Sequence, residues 1–127
     1  MDKYLQVAIV AAKEAGRIQK VHLADPHKVE FKGEINPVSE VDKLCDMAIN
    51  QIILDAFPDH DLLTEESAFK GMGSPFKWVI DPIDGTTNYI HGFPFFCVSI
   101  ALEIEGEMKL GVVYDPLFDE LFQAETG

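Results

Sequence analysis

The chain has 127 residues, 47% of them hydrophobic and 25% charged, which suits one compact domain with its own core and excludes a disordered composition. A net charge of −12, with no basic stripe, excludes nucleic acid and anionic membranes as partners. No apolar run approaches the roughly 18 residues of a membrane span, no signal-peptide pattern opens the chain, and Cys45 and Cys97 stand apart, so a cytoplasmic protein with two reduced, buried thiols is expected.

In chain order, residues 2–22 place Leu5, Ala8, Ile9, Ala12, Ala15 and Ile18 at helical spacing, with polar residues on the other face. Asp25-Pro26 ends that helix, because proline disfavours helical geometry in the residue before it. "HKVEFKGEINPVSE" reads as two short extended pieces around Lys32-Gly33-Glu34, a hairpin. A second helix follows in "SEVDKLCDMAINQIILDAF", with Ser39 and Asp42 spaced as a capping box. Val41, Leu44, Cys45, Ala48, Ile52 and Phe57 share its apolar face, leaving Asp42 and Asp46 one turn apart and off the stripe. Pro58-Asp59 stops it.

"HDLLTEES" and "KWVIDPIDG" share one design, a short apolar strand with acids where it ends. A short helix through "TTNYIHG" comes next. The remainder, "FFCVSIALEIEGEMKLGVVYDPLFDELFQAE", is a β-meander with turns at Glu105-Gly106 and Asp115-Pro116. This order predicts an α+β fold, two N-terminal helices packed on a largely antiparallel sheet. The helices cover one face of so apolar a meander. The other needs a further layer or a partner chain, so the 127 residues are expected to belong to something larger.

Glu65 and Glu66 close one strand, and Asp81 and Asp84 the other; if the strands are neighbours, these carboxylates converge at one edge. Pro82 biases Asp81 toward extended backbone, and Gly85 permits a sharp turn and a close backbone approach. Asp84 or Thr86 is placed to cap the short helix, whose free N–H groups attract phosphate. Carboxylates that repel phosphate thus stand beside donors that bind it. A hard divalent cation between them resolves the conflict, and an all-oxygen set with retained water suits magnesium.

Other acid-rich motifs fit worse. An EF-hand loop from Asp81 fails at Ile83, Thr86 and Gly92. A phospho-aspartate enzyme would separate its aspartates by one residue, and here two intervene. His91 has no second histidine at a ligating spacing and reads as packing or capping. On spacing alone Lys32 is equally a phosphate contact or an ordinary turn lysine.

The run Asp81-Pro82-Ile83-Asp84-Gly85-Thr86-Thr87-Asn88, followed by "YIHGFPFFCVSIAL", closely resembles the signature of the inositol monophosphatase family of magnesium-dependent, lithium-sensitive phosphatases. "TEES" resembles the family's Gly-Glu-Glu-Ser element and "VSEVD" its Val-Thr-x-x-Asp element, in the family's order. The resemblance implies Glu65, Asp81 and Asp84 as metal ligands, with the Ile83 carbonyl joining them and Asp81 bridging two metals. It implies Thr86 and Asp42 as the pair that orients or deprotonates the attacking water, with Glu65 also catalytic. Gly85, Thr86 and Lys32 would hold the phosphate of a small phosphorylated polyol or sugar. Thr64 and Ser39 depart mildly from the family pattern. Length departs more: the family's chain is about twice as long, a homodimer in full form, and its second half brings another metal-binding Asp in a Trp-Asp-x-Ala element absent here. The chain therefore resembles the N-terminal half of a sugar-phosphatase fold, residues 1–127 forming a single domain. Inositol phosphate is the family's typical substrate. Fructose 1,6-bisphosphate, histidinol phosphate and phosphoadenosine phosphate remain alternatives, as does an inactive half-domain that binds metal and phosphate.

Overall fold

A computed structural model describes residues 2–24, 29–32, 36–64 and 71–126, and only the backbone of residues 29–32 and 36–39. Helix α1 spans Asp2–His22, strands β1 and β2 span Val29–Lys32 and Asn36–Ser39, and helix α2 spans Glu40–Ala56. Strands β3 (Asp61–Thr64) and β4 (Phe76–Asp84) precede the short helix α3 (Thr86–Ile90). Strands β5 (Cys97–Ile104), β6 (Glu107–Asp115) and β7 (Glu120–Glu125) complete the chain. β1 and β2 form the expected antiparallel hairpin, whose turn lies outside the described residues. The other five strands form one sheet in the order β3-β4-β5-β6-β7, antiparallel except for the parallel pair β3–β4.

The meander follows from local chemistry. Glu105 and Gly106 both take positive φ, 52° and 82°, the backbone of a two-residue hairpin turn whose twist matches the strands it joins. Beyond β6 the Asp115 carboxylate accepts hydrogen bonds from the Leu117 and Phe118 amides at 3.0 and 3.2 Å, a side-chain-closed turn. Asp61 does similar work at β3. Its two oxygens accept from the Met72 and Ser74 amides at 2.8 and 3.1 Å, which ties the segment entering β4 to the start of β3.

Both helices lie on one face of the sheet, α1 over β5 and β6 and α2 over β4. Alternate sheet residues point at them: Trp78 and Ile80, Val98, Ile100 and Leu102, Leu110, Val112 and Tyr114, all buried. The buried face of α1 is small, with Ala8, Ala11, Ala12, Ala15 and Gly16, so the backbones approach closely. At Gly16 an added Cβ would stand 2.5 Å from the Tyr114 ring. On the other face, register aligns Leu63, Val79, Ala101, Gly111 and Ala124 in one row, and Leu63, Val113 and Phe122 are exposed. No helix among the described residues is long and apolar enough to cross a membrane.

The apolar stripe of α2 differs from the expected one. Its buried residues are Val41, Asp42, Cys45, Asp46, Ile49 and Ile53, while Leu44 is exposed and Ile52 only half-buried. Asp42 and Asp46 are thus inside the stripe. The helix turns that edge inward because Asp42 has a hydrogen-bonding partner there, which hydrophobic periodicity cannot register.

In the connection from α2 to β3, the His60 ring lies between Phe57 and Phe76, with centroids 4.6 and 4.5 Å away. Its Nδ1 accepts from Trp78 Nε1–H at 3.0 Å. Burial holds the His60 pKa below its ordinary 6.5, against the pull of Asp59 and Asp61. Folding therefore favours the neutral ring, and on acidification the unfolded chain takes up the proton first. Stability contributed by His60 is complete above about pH 6.5 and is lost as the pH falls from there toward its lowered folded-state value. Unfolding followed by the fluorescence of the single tryptophan should give a lower midpoint at pH 5.5 than at pH 7.5. In His60→Gln, which keeps an acceptor but does not titrate, the difference should shrink.

Candidate functional site

The site is built where β4 stops being a regular strand. Asp81 pairs with Ser99 and Asp84 with Cys97, so β4 advances three residues where β5 advances two. The extra residue is a β-bulge, and it takes Pro82 and Ile83 out of the ladder. Pro82 has no N–H to lose there. Both are buried, whereas Asp81 is half-buried and Asp84 exposed.

After the bulge the chain reverses through Gly85 at φ 98°. Two constraints select glycine. That φ lies in the left-handed region, and a Cβ would stand 2.8 Å from the Phe95 carbonyl oxygen. The same carbonyl accepts from Asn88 Nδ2 at 3.0 Å, fastening the loop after α3 against the turn. Helix α3 starts at Thr86 with Gly85 as its N-cap and no side-chain cap, and the first helical bond runs from the Tyr89 amide to the Gly85 carbonyl. The expectation that Asp84 or Thr86 caps this helix is therefore corrected. Thr86 is already the first helical residue, and the cap position before it falls to Gly85, which has no side chain to accept from the first-turn amides.

The Thr86 hydroxyl joins three elements. Thr86 Oγ1 lies 3.0 Å from Asp42 Oδ1 on α2 and 3.0 Å from the Ile83 carbonyl in the bulge. Its single proton is shared between two acceptors, and its lone pairs remain to receive a donor. Asp42 is 2% exposed, and this contact is 44 residues long in sequence. The pair expected from the sequence to act on water is thus in hydrogen-bond contact.

The remaining expected residues divide. Asp81 and Asp84 flank Cys97, whose pKa is pushed up to about 11, by burial first and then by Asp84, Asp81 and Asp115. Burial likewise raises Cys45, with help from Asp42 and Asp46, and its thiol donates to the Ala15 carbonyl at 3.4 Å. Both sulfurs stay protonated and poorly nucleophilic near neutral pH. Glu65 and Glu66 lie outside the described residues, as do the side chains of Lys32 and Ser39. Lys32 ends β1, and β3 reaches Thr64 beside Ile80 of β4, so the two acid-terminated strands are neighbours. Among the described residues no three His, Cys, Asp or Glu side chains form a metal-holding group, and the expected set requires Glu65. His91 is exposed and serves as the C-cap of α3 through its backbone N–H to Thr87.

Sequence reasoning missed Gln19 and Tyr89. Both are fully buried, Gln19 Nε2 donates to the Pro82 carbonyl at 2.8 Å, and the Tyr89 hydroxyl donates to the Gln19 carbonyl at 2.8 Å. One signal was present: Gln19 continues the row Ala8, Ala12, Ala15 as a polar residue on an apolar stripe.

The family model described as the inositol monophosphatase family matches residues 1–127. Over its whole length the chain is 43% identical to "Inositol monophosphatase 2" of Solanum lycopersicum, covering 50% of that protein. It is 44% identical to "Fructose-1,6-bisphosphatase/inositol-1-monophosphatase" of Aquifex aeolicus, covering 49% of it. The crystal structure of the extragenic suppressor protein SuhB from Bartonella henselae superposes with a TM-score of 0.95 at 40% identity, over 98% of this chain and 50% of that one. The chain thus spans about half the length of the curated relatives it matches.

Gly85 and Gly92 separate the two constraints on the turn. Both have positive φ, 98° and 75°, but only Gly85 has an atom in the way of a Cβ. Urea unfolding should show Gly92→Ala destabilised by about 1–2 kcal/mol, the backbone penalty of the left-handed region. Gly85→Ala should lose clearly more.

Proposed function

The chain belongs to the inositol monophosphatase family, and from that premise we propose that residues 1–127 are a single domain carrying the N-terminal, metal-binding half of a magnesium-dependent phosphate monoester hydrolase. The observation that carries the reading is the Thr86 hydroxyl held between the buried Asp42 carboxylate and the Ile83 carbonyl, beside a glycine turn with uncapped amides.

The donors fit a hard cation. Asp81, Asp84 and the Ile83 carbonyl offer oxygen only, and the Ile83 carbonyl retains a second lone pair beyond its bond to Thr86. These residues, with Glu65, would hold the magnesium. Bound magnesium supplies positive charge for the phosphoryl oxygens and lowers the pKa of a water. Asp42 acts through Thr86: the hydroxyl orients the attacking water, and the carboxylate behind it draws the proton. Backbone N–H groups of Gly85 and Thr86, with Lys32, receive the phosphate at the start of α3.

Inositol monophosphate is the substrate we favour, in keeping with the names of the relatives. The Aquifex relative's name keeps fructose 1,6-bisphosphate next, and histidinol phosphate and phosphoadenosine phosphate follow. The protein is read as cytoplasmic, lithium-sensitive and, in full-length form, homodimeric. The half-length coverage favours one second reading: residues 1–127 alone bind metal and phosphate without turning substrate over.

Inositol 1-phosphate hydrolysis with and without magnesium tests the first reading. In a full-length enzyme Asp81→Asn should remove most of the magnesium-dependent turnover. Thr86→Val, which keeps shape and removes the hydroxyl, should lower kcat by about 10²-fold or more. Unchanged rates in both would refute the assignment. Robust saturable turnover by the 127-residue chain would refute the second reading, and calorimetric magnesium uptake without turnover would support it.

A further inference from the structure

We propose that Gln19 is a positioning residue for this site, setting the direction of the Ile83 carbonyl through the Pro82 carbonyl; the role rests on the reading of Ile83 as a metal ligand given above.

Gln19 is fully buried near the end of α1, 63 residues from Pro82. The bulge releases two consecutive carbonyls from the β4–β5 ladder. Left alone, each would be a buried acceptor without a partner, which is costly. Each is held by a different element. Gln19 Nε2 of α1 donates to the Pro82 carbonyl at 2.8 Å, and the Thr86 hydroxyl of α3 donates to the Ile83 carbonyl at 3.0 Å. The two carbonyls belong to adjacent planar peptide units, so fixing the first restricts the orientation open to the second.

The same residue also holds the far end of the turn. The last four carbonyls of a helix lack intrahelical donors. The Leu23 amide bonds the Lys20 carbonyl at 3.4 Å, closing the last turn of α1. The Gln19 carbonyl in that turn accepts from the hydroxyl of Tyr89, a fully buried residue of α3 whose ring packs edge-on against Phe96 at 4.9 Å. One residue thus contacts segment 82–89 on both sides of the Gly85 turn.

Packing alone does not call for glutamine here. Among the described residues Gln19 Oε1 has no hydrogen-bond partner, so the amide carries a desolvation cost that leucine or methionine would avoid. What the amide adds is the Nε2 bond to Pro82.

Magnesium titration calorimetry on the full chain tests this, with Gln19→Met as the variant that keeps length and volume but not the donor. The expected result is a magnesium Kd raised about 10-fold, the effect typical of a group that orients a metal ligand, at a thermal midpoint within a few degrees of wild type. Asp81→Asn is the control. If it binds magnesium as wild type does, the proposed function fails. If it loses magnesium while Gln19→Met binds as wild type, the positioning role alone is overturned. Should Gln19→Met not fold, Gln19→Leu, which also removes the Nε2 donor, decides: a raised magnesium Kd supports the role, and an unchanged one overturns it.

Discussion

A carboxylate buried to 2% exposure against a hydroxyl on a distant turn is the contact that the rest of the site depends on. Asp42 sits on the inner edge of α2 where Thr86 reaches it, and Thr86 is brought there by the bulge of β4 and the reversal at Gly85. Burying an ionisable group without a partner is prohibitive. The bond therefore couples the rotation of α2 to the geometry of the turn. The small buried face of α1 lets α2 and the sheet close to the required distance.

The electrostatics make sense in the same frame. A chain with net charge −12 places Asp81 and Asp84 around the half-buried Cys97 and points Asp42 and Asp46 inward near Cys45. Both thiols respond by holding their protons. Sulfur nucleophile chemistry is suppressed, and oxygen donors are left to define the site. Donors of this type are suited to hard cations, and cations are what would let a phosphoryl group approach so many carboxylates.

The two faces of the sheet serve different ends. The face under the helices is filled by large side chains from Trp78 to Tyr114 and fixes the ladder from which β4 departs. The other face carries a row of mostly small apolar residues with Leu63, Val113 and Phe122 exposed. The matched relatives have about twice this chain's length, and 98% of the chain superposes on half of the SuhB structure.

The sequence by itself determined the order of elements, the Glu105-Gly106 hairpin and the identity of the residues at the end of β4. Those depend on short-range rules: a 3.6-residue period, a two-residue turn needing positive φ, and a specific Asp-Pro-Ile-Asp-Gly-Thr run. Tertiary structure alone decided which edge of α2 faces inward, what caps α3 and what braces the bulge. Asp42 looks solvent-facing to any hydrophobicity pattern, since the pattern does not see a hydroxyl 44 residues away. Thr86 reads as a helix cap until the turn at Gly85 makes it the first residue of α3 and brings the Ile83 carbonyl and Asp42 to its hydroxyl. Gln19 reads as an interruption of an alanine stripe until Pro82 arrives beside it, 63 residues later. In each case a polar group's partner is brought to it by the fold, and no local rule carries that distance.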